Sequence, residues 1–164
     1  MAGVEWRPAV EADEPFLRAL YASTRPEVAG WPDEPREAFL AHQFEAQRAG
    51  WDEMFPEARH EVILCDGHSV GRVWVDWTDT ECLIVDLALL PEHRRQGIGT
   101  QVVRELLADA DRRGLPVRAH VERTNAPSLA FWTRLGFAET LGDALFVEIE
   151  RPAQIAARRS RRRS

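Results

Sequence analysis

The chain has 164 residues, 45% hydrophobic and 29% charged, with 21 basic against 27 acidic side chains. That length suits one domain with a real core, and the composition excludes a disordered body. Five of the cations fall within the last seven residues, so the remainder is too acidic to wrap nucleic acid; the absence of lysine excludes Schiff-base chemistry and a phosphate loop ending in Lys-Ser or Lys-Thr.

In chain order, Val4 to Pro8 reads as a short first strand. Glu11 to Thr24 follows as a helix, with Phe16, Leu17, Leu20 and Tyr21 at three- and four-residue spacing. Arg25 to Pro35 is a break rich in proline. Glu34 to Arg48 is a second helix, closed by Gly50, and Trp51 to Pro56 is an aromatic-bearing loop. From Glu61 the hydrophobic period changes to two, and Asp66-Gly67 between β-rich runs predicts a hairpin. A third strand of this group covers Glu81 to Leu90 and ends at Pro91. Gly99 to Arg113 is an amphipathic helix stopped by Gly114, and Val117 to Val121 is a strand. Pro127 to Leu135 is a short helix with proline at its start and Gly136 past its end. Ala144 to Glu150 is a last strand. The expected order is β-α-α-β-β-β-α-β-α-β, a mixed α/β domain with a mostly antiparallel sheet. A single domain is expected over 1–152, with an Arg-rich, disordered tail over 153–164.

Cys65 and Cys82 lie in apolar strands without CxxC spacing, which reads as buried reduced thiols. The five histidines show no ligand spacing, so no metal is expected. No basic-then-apolar leader and no membrane-length apolar run occur, so the expected location is cytoplasmic, with no membrane partner.

The informative stretch is IVDLALLPEHRRQGIGTQVVRELL, residues 84–107. A strand runs through proline and a polar turn into Gly97-Ile98-Gly99 and then a helix. Glycines two apart let the backbone curl so that N–H groups converge at a helix N-terminus, an anion site suited to pyrophosphate. Arg94 and Arg95 stand beside it as phosphate partners. Val102 stands where a dinucleotide fingerprint needs its third glycine, so a Rossmann reading fails.

Here the sequence resembles the GNAT superfamily of acyl-CoA-dependent N-acetyltransferases. Its central motif of Arg or Gln, two residues, Gly, one residue, Gly or Ala is matched by Arg94-Arg95-Gln96-Gly97-Ile98-Gly99. A second motif, an Asn, a short helix, an aromatic pair and Gly-Phe, is matched from Asn125 through Phe131-Trp132 to Gly136-Phe137. The resemblance is strong over 60–150 and loose over 1–59, where the family shapes its acceptor site. It implies about four helices flanking a central sheet splayed between the strands at 81–90 and 117–121. Acetyl-CoA would be the co-substrate, with the thioester in that gap. Its pantetheine would add along Leu87, Ala88 and Leu89, and its pyrophosphate would sit on the amides from Arg95 to Thr100. Asn125 would contact the pantetheine or acetyl end, with Ser128 and Phe131 along the adenylate and thiol side.

The implied reaction is direct attack of a primary amine, small molecule or peptide N-terminus, on the acetyl carbonyl. The Leu89 N–H is the candidate donor to the carbonyl oxygen. Candidate bases are Asp86, which interrupts LIVDLALL and is either structurally partnered or functional, and His120 on the other side of the gap. In protein N-terminal alanine acetyltransferases a catalytic glutamate stands five residues before the motif Asn, the place of His120 here. Glu122 is a weaker third choice, and Glu81 reads as solvated. The family's usual acid, a tyrosine before Gly-Phe, is replaced by Trp132, while Tyr21, the only tyrosine, lies in the first helix. The alternative is therefore a GNAT-fold acyl-CoA-binding or sensor protein with little catalysis. Nucleic-acid binding through the Arg tail is a third option and is not expected. Residues 1–61 hold 13 acidic and 6 basic side chains, a solvated surface or a field that draws in a cationic amine. Trp31 and Trp51 fall where the family builds its acceptor wall. A homodimer is compatible with the resemblance.

Overall fold

A computed structural model describes residues 3–155. The expected tail therefore lies almost wholly outside the described residues. Two compact units are present: Met1–Trp77 with Leu83–Val103, and Thr78–Cys82 with Arg104–Ser164. The described residues form seven strands and four α-helices in a mixed α/β arrangement whose described pairings are antiparallel.

In the first unit, strands β1 (Val4–Pro8), β2 (Arg59–Cys65), β3 (His68–Trp77) and β4 (Cys82–Leu89) lie side by side in that order. The Asp66-Gly67 hairpin forms as expected, both residues taking positive φ (50° and 81°) to match the strand twist. Helix α1 (Glu14–Ser23) begins later than the spacing predicts, because Glu11–Asp13 forms a 3-10 turn first. The Asp13 carboxylate holds that turn by accepting from Val10 N at 2.8 Å and from Arg7 at 2.8 and 2.9 Å. The Arg7 hydrogen bond, more than any other influence, holds the Asp13 pKa down to about 2.

Helix α2 (Asp33–Met54) corrects two expectations. It runs through Gly50 and takes in Trp51, which was expected in a loop. Glycine in a helix costs about 1 kcal/mol, but Trp51 packs edge-on against Trp74 at 5.0 Å, and that burial extends the helix. Leu17, Tyr21, Phe44 and Val62 form the core between α1, α2 and β2. On β3, Val70, Val73 and Val75 are fully buried. Gly71 lets β4 approach: a Cβ there would stand 2.3 Å from the Ala88 carbonyl oxygen.

The second unit holds most of helix α3 (Ile98–Arg113), strand β5 (Val117–Glu122), helix α4 (Ala126–Arg134), and strands β6 (Ala138–Gly142) and β7 (Phe146–Arg151). Its strand order is β5-β7-β6. Val117, Ala119, Val121, Val147 and Ile149 alternate into a core shared with Leu106, Ala110, Trp132 and Phe137. Gly136, at φ 91°, ends α4, and Phe137 N closes back on Trp132 O at 3.2 Å, as the sequence predicts. Strand β6 was not expected. It is exposed at every position, so it lacks the alternation that marks a strand. The last strand starts two residues later than expected, because the Asp143 carboxylate accepts from Leu145 and Phe146 N and makes a turn there.

Cys82 is buried as expected, Cys65 is only half-buried, and neither is in a disulfide. No helix among the described residues is long and apolar enough to cross a membrane.

Candidate active site

Beyond β4 the chain makes a 3-10 turn at Pro91–His93 and reaches α3 through Arg94–Gly97. Positive φ occurs at Arg95 (60°) and Gly97 (83°), not at both glycines; Gly99 sits buried within the first turn of α3. Two left-handed residues alternating with ordinary ones fold successive N–H groups toward one side. The N–H groups of Ile98, Gly99 and Thr100 belong to the helix start, where no intrahelical acceptor exists; Gln101 N makes its bond to Gly97 O at 3.0 Å. Arg94 to Gly97 are exposed. A non-glycine residue in the left-handed region costs about 1–2 kcal/mol, and such strain concentrates at functional turns.

Leu87, Ala88 and Leu89 are half-buried on β4. The Leu89 carbonyl accepts from Arg94 Nε at 3.0 Å, and Leu90 N donates to Val70 O at 2.9 Å. Gln96 folds back, its side chain donating to Glu92 O at 2.8 Å.

Asp86 has a partner. Arg72 Nε on β3 donates to Asp86 Oδ2 at 2.8 Å, and another Arg72 nitrogen donates to Gln47 Oε1 on α2, also at 2.8 Å. The Arg72 guanidinium lies 5.2 Å from the Trp51 ring centre. The Arg72 side chain is 6% exposed against 27% for Asp86. Of the two readings of Asp86, the geometry supplies the structural one, a carboxylate already committed to a buried cation. The sequence singles out neither Arg72 nor Gly71, and it marks Gln47 only as one position on a face of the second helix. An arginine inside the apolar run VGRVWV was the available signal, since a buried cation requires an anion.

In the second unit, His120 and Glu148 are register partners, and His120 Nε2 lies 3.6 Å from Glu148 Oε2. The His120 side chain is 56% exposed. Glu148 also accepts from the Thr140 hydroxyl at 2.8 Å, while Arg118 pairs with Glu81 at 3.0 Å and Glu150 at 2.7 Å. Glu81, expected to be solvated, is therefore ion-paired. Glu122 is exposed opposite Phe146. Asn125 is the N-cap of α4, its Oδ1 accepting from Ser128 N at 3.2 Å, which leaves its amide N–H₂ free of that task. Ser128 and Phe131 are half-buried. Trp132 is buried, with edge-on contacts to Phe131 and Phe137 at 5.0 Å each. Tyr21 is buried in α1, its hydroxyl accepting from Arg25 Nε at 3.2 Å.

Residues 15–137 match the acetyltransferase (GNAT) family. A mycothiol acetyltransferase from Saccharopolyspora erythraea is 32% identical over 98 residues, 57% of this chain; that stretch is 30% of the relative's length. Among solved structures, the PaiA N-acetyltransferase from Thermoplasma acidophilum, in complex with coenzyme A, aligns with a TM-score of 0.70 at 18% identity over 92% of this chain and 99% of its own. The ribosomal-protein-S18-alanine N-acetyltransferase from Escherichia coli aligns with a TM-score of 0.62 at 17% identity, over 96% and 98%. These two likenesses bear on the fold. The family match spans β2 to β5, the Arg95–Gly97 turn and α4 described above, and on that ground the chain belongs to the acetyltransferase (GNAT) family.

Proposed function

We propose that this protein transfers an acetyl group from acetyl-CoA to a primary amine by direct attack. The observation that carries this reading is the pair of left-handed residues, Arg95 and Gly97, which turns the free amides at the start of α3 into a pyrophosphate cradle inside a GNAT sequence. Arg94 and Arg95, both exposed, supply charge for the phosphate oxygens. The names of the two structural relatives both specify N-acetylation, which supports an amine acceptor.

In the reaction, the amine nitrogen bonds to the acetyl carbon, the Leu89 N–H receives the developing oxyanion, and the carbon–sulfur bond breaks to release CoA thiolate. The proton lost by the amine goes to a base. His120 is favoured over Asp86, because its ring is exposed and backed by Glu148, whereas the Asp86 carboxylate is held by Arg72. With tryptophan in place of the family tyrosine, water protonates the thiolate.

The second reading, CoA binding with little catalysis, is favoured by one observation: Trp132 is buried among Phe131 and Phe137 and offers no acidic hydroxyl.

The test is thermal unfolding with acetyl-CoA and CoA beside NAD, followed by thiol release against a panel of amines. At ~100 times the dissociation constant a ligand adds about 2.7 kcal/mol, which raises Tm by several degrees. A shift with both CoA species, and thiol release that His120→Ala reduces at least tenfold without weakening acetyl-CoA binding, is the expected result. A shift with no release on any amine supports the second reading, and no shift overturns both.

A further inference from the structure

A second site lies wholly within the first unit, apart from the acetyl-transfer groups. A cavity of about 160 Å³ opens beside α1, β2 and β3, and its polar lining is Glu11, Glu14, Arg48, His60, Arg72 and Trp74. One water needs only about 10–15 Å³ by the same measure, so the space accommodates a small organic ion.

His60 and Trp74 are cross-strand partners whose rings stack at 4.2 Å, 11° from parallel. Trp74 is 3% exposed, and neither its indole N–H nor His60 Nε2 has a hydrogen-bond partner among the described residues. Buried polar atoms are almost always satisfied, so two adjacent unsatisfied ones mark a place where a partner is missing. An indole N–H donates and never accepts; what completes it must present an acceptor atom, such as a carboxylate oxygen.

The charges around these two rings narrow the choice. Burial foremost, then the positive charges of Arg72 and Arg48, hold the His60 pKa down to about 4, so its ring is neutral at pH 7 and keeps one N–H to donate. Both guanidinium groups are ion-paired, Arg72 with Asp86 at 2.8 Å and Arg48 with Glu45 at 2.9 Å, but each has five N–H groups and keeps some to donate to a ligand oxygen. Glu14, also in the lining, is paired with Arg18 at 2.8 Å and with Arg48 at 3.5 Å. Glu11 is exposed at the rim. The deep wall is thus made of donors and the rim carries carboxylates.

We propose that this cavity binds a small carboxylate, whose oxygens accept from the Trp74 indole and the His60 imidazole beside the guanidinium groups of Arg48 and Arg72. The carboxylate comes either from an amino acid, its ammonium at the Glu11 rim, or from a simple organic acid.

The test uses the full chain with ¹⁵N-labelled tryptophan. Its Trp74 indole N–H signal is assigned by its absence in Trp74→Phe and followed on titration with acetate, propionate, glycine, ethanolamine and sodium chloride at matched ionic strength. The expected result is a saturable shift with the three carboxylates and none with ethanolamine or chloride, with Arg48→Met weakening binding at least tenfold. A signal that stays fixed, or that moves equally with chloride, means that water alone fills the cavity and overturns the proposal. Should Trp74→Phe fail to fold, His60→Gln provides the same assignment through its neighbouring signal. Acetylation of glycine in the presence of acetyl-CoA identifies an acceptor, while binding without acetylation identifies a separate ligand; either upholds the site. Backbone amides of Gly97 and Gly99, followed with acetyl-CoA in uniformly ¹⁵N-labelled full chain, report the CoA site independently, so failure of one reading is distinguishable from failure of the other.

Discussion

The turn at residues 91–100 and the wall formed by α2, β2 and β3 are built in opposite ways. The turn is made of backbone: its shape rests on two left-handed residues and a helix start within a few positions of one another. The wall is made of side chains brought together from Gln47, Trp51, His60, Arg72, Trp74 and Asp86, across some 40 positions of sequence. A local backbone device tolerates change in its neighbours, whereas a packed polar network fails when one member is removed.

The largest effect should come from Arg72→Met, which leaves the Asp86 carboxylate and the Gln47 amide without their cation. Breaking a buried pair costs about 3–5 kcal/mol, and urea unfolding will read it. If the loss is below 1 kcal/mol, the wall is not a coupled network and the contrast with the turn collapses.

Next comes the acid sensitivity set by His60. The unfolded chain takes up this proton near pH 6.5 and the folded chain only near pH 4. Stability from this source is therefore complete above pH 6.5 and is lost as pH falls to 4. After allowance for partial solvent access, this amounts to about 2 kcal/mol. His60→Phe, which keeps the stacking on Trp74, should flatten the stability profile over that window.

Gly71→Ala should cost about 1–3 kcal/mol, because the added methyl meets the Ala88 backbone oxygen at 2.3 Å. It should also displace the strand that carries Leu89, so on the proposed function acetyl-CoA affinity should fall with stability. Gly97→Ala is the sharper complement. Nothing lies within 4 Å of the new methyl, so only the left-handed φ of 83° is disturbed. Stability should fall by about 1 kcal/mol, while acetyl-CoA affinity falls at least tenfold by isothermal titration. If Gly97→Ala binds acetyl-CoA normally, the cradle lies elsewhere.

The elements near the turn were legible in the sequence because their signals are short-range. Pro91, Gly97 and the four-residue apolar steps of α3 announce strand end, turn and helix, and Asp66-Gly67 announces the hairpin. Legibility failed where packing outweighed local preference. Gly50 reads as a stop, yet the burial of Trp51 against Trp74 carries α2 to Met54. Strand β6 carries no apolar face and exists because β7 offers it a ladder. Within the site, Gly97 was legible as a bend, but the left-handed backbone at Arg95, expected only as a phosphate partner, carries no local sequence signal. Asp86 stood out as a charge in an apolar run, and only the fold supplied Arg72 as the reason it can stay there.

By itself the sequence determined the family, the order of most elements and the place of the glycine turn before α3, since each depends on residues within a turn or two of one another. Tertiary structure alone decided which carboxylate is paired, which histidine is exposed and where two buried nitrogens wait for a partner. Those properties depend on distances between residues far apart in the chain, which no local pattern encodes.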